Sequence, residues 1–157
     1  MATSSFQWRC LPRPPVKIEL FRCSRSAWAM FARHHYLSGA LSAVARCFLA
    51  VWQGSPVAFC ATVSLFGKKN RRRISRTVTL PDYQGIGIGM RLAEAVAALH
   101  LGEGYRVNMT ASHPAVVAHC LRSAQWRAIG VKKTGSKGHD RYRGSIGRAV
   151  VSFEFLG

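Results

Sequence analysis

An α+β fold in a single domain is predicted by three features of this sequence. Apolar residues recur with period 2 in several short runs, two later segments carry helical spacing, and a glycine turn joins a strand directly to a helix near mid-chain. A length of 157 residues with 48% hydrophobic content supplies one core. Val16 to Arg22 alternates as a strand, and Ser24 or Ser26 can cap a helix running from Ala27 to about Tyr36, ended by Gly39. Cys47 to Trp52 and Val57 to Phe66 read as a hairpin across Gln53-Gly54-Ser55-Pro56. The basic stretch after Gly67 reads as the next turn, leading to a strand over Ile74 to Leu80.

Met90 to Leu101 carries Leu92, Ala95, Val96 and Leu99 at helical spacing, and Gly102 and Gly104 stop it. Tyr105 to Ser112 alternates again. Pro114 suits the first turn of a helix ending near Ser123, with Ser112 or His113 at its cap. After a glycine-rich basic loop, Ala149 to Phe155 is the final strand. Residues 1–15 read as a basic arm and 16–157 as the domain; there are no internal repeats.

Gln84-Gly85-Ile86-Gly87-Ile88-Gly89 is the most informative segment. Backbone N–H groups at a helix start lack intrahelical partners and sit at the positive end of the helix dipole, so strand, glycine turn and helix start form a cradle for a phosphate or pyrophosphate. The spacing is not G-x-G-x-x-G, and no Walker lysine follows. Gln84, Gly87 and Gly89 give Q-x-x-G-x-G, which resembles the acetyl-CoA pyrophosphate loop of the GNAT (Gcn5-related N-acetyltransferase) superfamily. The order of elements from about Val16 onward is similar to that superfamily, which implies a mixed central sheet flanked by helices and an acyl donor held at Gln84, Gly85, Ile86, Gly87, Ile88 and Gly89.

The segments around His35-Tyr36, Pro81-Asp82-Tyr83, Ser112-His113-Pro114 and Arg141-Tyr142-Arg143-Gly144 resemble a narrower GNAT branch, found fused to ABC-type ATPases and as free-standing phage proteins, close to the phage Mu Mom family. That resemblance implies modification of adenine N6 in DNA by a carbamoylmethyl group, an anti-restriction activity, and iron as a candidate metal.

Charge points to a partner. The chain has 23 Lys and Arg against 6 Asp and Glu, a formal charge of +17, far above what solubility asks. Lys68, Lys69, Arg71, Arg72 and Arg73 form one cluster; Lys132 and Lys133 lead into a second with Arg141, Tyr142 and Arg143. Such clusters reward nucleic acid through counterion release, and double-stranded DNA is the expected partner, with no RNP-type aromatic motif to favour RNA.

Carboxylates are scarce. Glu94 and Glu103 read as solvent-facing helix residues, Glu19 and Glu154 lie on outer strands, and Asp82 fits a turn after Pro81. Asp140 remains, among cations. His35 and Tyr36, at the end of the first helix, can exchange a proton and donate a hydrogen bond, although a packing role is equally open to them. The resemblance adds Ser112 and Asp140 to that catalytic set, and His35, His113 and Asp140 are the candidate metal ligands. His100 and His119 read as helix-surface residues. Five cysteines without a C-x-x-C pair read as reduced packing thiols, and the absence of an 18-residue apolar run or an N-terminal apolar core predicts a cytoplasmic protein, in a bacterial host if phage-like, with no membrane partner. Three functions stay open: a Mom-like DNA-modifying enzyme, an acetyl-CoA-dependent N-acetyltransferase acting on an amine or peptide, and a non-catalytic nucleic-acid-binding module. The oligomeric state is open, a dimer included.

Overall fold

The computed structural model describes residues 16–35, 40–133 and 149–157. Tyr36, Asp140, Arg141, Tyr142, Arg143 and the 1–15 arm lie outside the described residues. The chain order is β1 (Glu19–Cys23), α1 (Trp28–Phe31), β2 (Arg46–Trp52), β3 (Ser55–Ser64), β4 (Arg71–Thr79), α2 (Ile88–Gly102), β5 (Arg106–Ala111), α3 (Pro114–Arg122), β6 (Trp126–Lys133) and β7 (Ala149–Phe155). The strands make one mixed sheet in the order β1-β2-β3-β4-β5-β7-β6. Only β4 and β5 pair in parallel; the other neighbours are antiparallel.

One face of the sheet carries α2 and α3. Leu92, Ala93, Val96 and Ala97 of α2 pack there with Phe48, Val107, Phe153 and Phe155 of the strands. The buried stripe of α2 therefore runs through Ile88, Leu92, Val96 and His100, while the expected face residues Ala95 and Leu99 are exposed. The other face is covered over β2, β3 and Val78 of β4 by α1 and Leu41, where Phe31 stacks on Phe59 at 5.5 Å. The expected helix from Ala27 to Tyr36 is reduced to four α-helical residues between two 3-10 turns, Arg25–Ala27 and Ala32–His34. Phe31 of this short element is wholly buried against Phe59 and Val78 of the sheet.

A register shift in β4 decides which side chains reach the centre. Ile74 lies opposite Thr62 and Arg76 opposite Ala61, so Ser75 is an extra residue, and its hydroxyl donates to the Ala61 carbonyl at 3.1 Å. Strand alternation would otherwise put Arg72, Ile74 and Arg76 on one face. The bulge instead turns Arg76 to the α1 face, in line with Arg71 and Arg73, and sends Thr77 and Thr79 toward α2.

β6 is an element the sequence reading omits. Its bulge between Ala128 and Gly130 breaks the alternation, and Arg127, Lys132 and Lys133 give it the composition of a loop. Its presence places β7 inside the sheet, and with it Glu154, which is 4% exposed and not on an outer strand.

Candidate active site at the β4–β5 splay

β4 and β5 pair only from Arg71 opposite Arg106 to Ile74 opposite Met109. Beyond that point β4 continues to Thr79 with no partner on the β5 side among the described residues, while β5 pairs with β7 and ends at Ala111. The strands thus splay, and the backbone polar groups of β4 that face the gap are left for a ligand.

The glycine segment closes one end of the gap. Pro81–Tyr83 forms a single 3-10 turn, and the Gln84 side-chain amide donates to the Thr79 carbonyl at 2.9 Å, tying the loop to the end of β4. Gly85 and Gly87 hold φ of 81° and 89°, the left-handed region that favours glycine, with open space beside both. Gly89 is required for a different reason: a Cβ there would lie 2.7 Å from the Thr79 hydroxyl oxygen, so only glycine lets α2 start against β4. The first helical bond donated within α2 runs from Arg91 N–H to the Gly87 carbonyl at 3.1 Å, which leaves the N–H groups of Ile88, Gly89 and Met90 without helical acceptors. No acidic residue stands in that first turn. A 15-residue helix thus presents its positive end to the splay.

On the α1 face, the splay is bordered by Arg76, half-buried, whose Nη1 donates to the Ser75 carbonyl at 2.8 Å and whose Nε finds no acceptor among the described residues. His35 stands on this same side, half-buried, its ring 5.7 Å from Trp28, which in turn lies 5.4 Å from Phe59 of β3. Ser112 follows directly from β5 and is half-buried. His113 caps α3, its Nδ1 accepting from Ala115 N–H at 3.3 Å. His35 thus lies on the α1 side over β3, Ser112 at the end of β5 and the glycine loop at the end of β4, with Arg76 as an addition that the sequence does not single out.

Several expected roles are corrected. Arg72 is not a surface contact for nucleic acid: it is 6% exposed and lies over the Tyr105 ring at 4.7 Å, because β4 starts at Arg71 and alternation sends residue 72 under α2. Iron finds no support, since no group of three His, Cys, Asp or Glu able to hold a metal exists among the described residues, and the Nδ1 of His113 is occupied as a helix cap. His100 is fully buried, Glu94 is 7% exposed, and Glu94 accepts from His119 Nε2 at 2.6 Å and from Trp126 Nε1 at 3.4 Å.

Two constellations look chemical and are structural. Thr62, His100 and Glu103 form a hydroxyl–imidazole–carboxylate chain at 2.9 and 3.0 Å, but Thr62 and His100 are wholly buried, so no substrate reaches the hydroxyl. Burial pushes the Cys60 thiol up to about 12 and the Cys23 and Cys120 thiols up to about 11, which keeps them protonated and poor nucleophiles. Hydrogen bonds from Arg127, at 2.7 Å, and Arg106, at 2.6 Å, lower the Glu154 carboxyl from its ordinary value against the opposing effect of burial, so it serves as a fixed anion and not as a proton acceptor.

The splay, the glycine loop and the helix start coincide with a family pattern: the acetyltransferase (GNAT) family profile matches residues 7–119. The chain belongs to the GNAT acetyltransferase family. No curated protein matches it in sequence. Among solved structures it is similar to the ribosomal-protein-S18-alanine N-acetyltransferase from Escherichia coli, with TM-score 0.67 and 14% identity over 88% of this chain and 93% of that one. It is also similar to a Bacillus subtilis acetyltransferase in complex with CoA, with TM-score 0.68 and 11% identity over 90% and 98% of the two chains. The IAA acetyltransferase from Bacillus cereus ATCC 14579 has TM-score 0.65 and 14% identity over 88% and 99%. At these identities the likeness is one of fold. Among the described residues no helix is long and apolar enough to cross a membrane.

Proposed function

We propose that this GNAT protein is an acetyl-CoA-dependent N-acetyltransferase. The observation that carries the reading is the open β4 edge beyond Ile74, closed at one end by the glycine turn and the free N–H groups of Ile88, Gly89 and Met90. The Bacillus subtilis neighbour of the same fold was solved with CoA. The donor supplies an acetyl thioester; its pyrophosphate suits the start of α2, and an extended pantetheine chain suits the unpaired edge of β4. The acceptor nitrogen forms the new C–N bond as the C–S bond breaks, and the proton released from nitrogen needs an acceptor.

His35, half-buried on the α1 side, is the base candidate there, with Arg76 of β4 a fixed positive charge on the same side; Asp82, exposed in the turn after β4, is the nearest carboxylate along the chain. With so few bases, the reaction favours an acceptor amine that is already neutral near pH 7. Gly87→Glu tests the donor site, by bulk and charge. Calorimetric titration with acetyl-CoA is expected to show binding to the wild type and none to a folded Gly87→Glu; equal binding by both would refute this site.

A second reading is favoured by the charge of the protein. Here the acceptor is N6 of adenine in DNA, as the resemblance to the Mom branch implies, with a carbamoylmethyl donor that acetyl-CoA does not itself supply. Nucleoside mass spectrometry of DNA from expressing cells tests it. A heavier adenine that disappears with His35→Ala supports this reading; unmodified adenine together with CoA release on an amine supports the first.

A further inference from the structure

We infer that the face of the sheet formed by β4, β5, β7 and β6 on the α1 side docks the phosphate backbone of duplex DNA. Cross-strand partners share a face, and the register aligns Arg71 with Arg106, and Arg73 with Asn108, Glu154 and Arg127. The bulge at Ser75 adds Arg76 to the same face, and Lys132 extends it along β6. α1 and Leu41 cover β2, β3 and Val78 of β4, and among the described residues the buried cluster on this side includes no residue of β5, β7 or β6.

Six cations thus share a surface with one carboxylate, Glu154, which lies beneath Arg106 and Arg127. Among the described residues Arg71 and Arg73 have no carboxylate within ion-pair distance, and Arg106 and Arg127 keep side-chain exposures of 54% and 59% despite their ion pairs. Guanidinium groups present two parallel donors to a phosphate. The strands are spaced by about 4.8 Å, so the row from β4 to β6 spans about 14 Å, which suits successive phosphates of a duplex. The described side chains of this face include no aromatic ring, which argues against a single strand held by base stacking.

The inference goes beyond the proposed acetyl transfer and does not depend on it, since it is read from binding alone. The probe is a 20-base-pair DNA duplex titrated by fluorescence anisotropy at several salt concentrations. Arg71→Gln/Arg73→Gln is expected to weaken binding about tenfold at 0.1 M salt and to make the slope of log affinity against log salt shallower by about 2. Arg22→Gln/Arg122→Gln removes the same charge from exposed positions on the other face and is expected to leave the slope nearly unchanged. Equal losses in both variants would reduce the effect to net charge and overturn the assignment. Tighter binding of the single strand than of the duplex would also overturn it, as would capture by phosphatidylserine vesicles without duplex binding. If the double variant fails to fold, Arg73→Glu alone, at an exposed position, carries the same comparison.

Discussion

His100 shows how a single buried side chain is fixed by its partners. A carboxylate only accepts, so Nδ1–H donates to Glu103 and Nε2 accepts from the Thr62 hydroxyl, which defines the neutral tautomer. Phe48 and Tyr105 enclose the ring edge-on at 5.6 and 6.1 Å. Burial depresses the imidazole below its ordinary value of 6.5, the hydrogen bond to Glu103 opposes this, and Arg72 and Arg46 add to the depression. A depressed folded value means that His100 contributes stability above pH 6.5, where both states are neutral, and that this is lost as pH falls and the unfolded chain takes up the proton first. Chemical denaturation between pH 7.5 and 5 is expected to show a stability decrease of up to about 1.4 kcal/mol per pH unit for this one group. The difference between wild type and His100→Gln isolates it from His119 and Glu94; a difference independent of pH would count against the assignment. The sequence placed His100 on a helix surface because helical spacing tells which residues share a face, not how far round the helix the core extends. Glu94 and Glu154 were misjudged for the same reason: a carboxylate looks exposed until its cationic partners, distant in sequence, are known.

The elements that build the splay were largely legible. Strand, glycine turn and helix lie within a continuous stretch, and local chemistry fixes each: the Gln84 amide holds the turn, positive φ selects Gly85 and Gly87, and close approach selects Gly89. The bulge at Ser75 and the strand β6 were not legible, because a bulge is settled by the partner strand and erases the period-2 signal that reveals a strand. The same short-range geometry gives an element-scale prediction. Gly89→Ala places a methyl group 2.7 Å from the Thr79 hydroxyl and is expected to cost about 1–3 kcal/mol by overpacking. Because the clash is with a single side-chain atom, Thr79→Ala in the same chain should recover most of the loss. A double-mutant cycle by urea denaturation reads the coupling; additive effects would mean that the helix start shifts away from β4 instead of pressing on it.

At the scale of the whole molecule, charge is the dominant departure from an ordinary domain, and it was legible from composition alone. What composition could not show is its placement: Arg72 is spent under α2, Arg46 on Glu103, and Arg106 and Arg127 on Glu154, while Arg71, Arg73 and Arg76 line one face beside the splay. With a formal charge of +17, self-repulsion in the compact state exceeds what the few ion pairs return. Salt screens both, and with a Debye length of about 10 Å at 0.1 M it removes long-range repulsion among exposed cations more than it weakens the short contacts to Glu154. Raising sodium chloride from 20 to 300 mM is therefore expected to stabilise the fold, where 1 kcal/mol corresponds to about 2–4 °C in Tm for a domain of this size. Differential scanning calorimetry at the two concentrations decides it. A fall in Tm would mean that the ion pairs at Glu154 and Glu103 outweigh the repulsion, and that the cations of the exposed face are less crowded than their register implies.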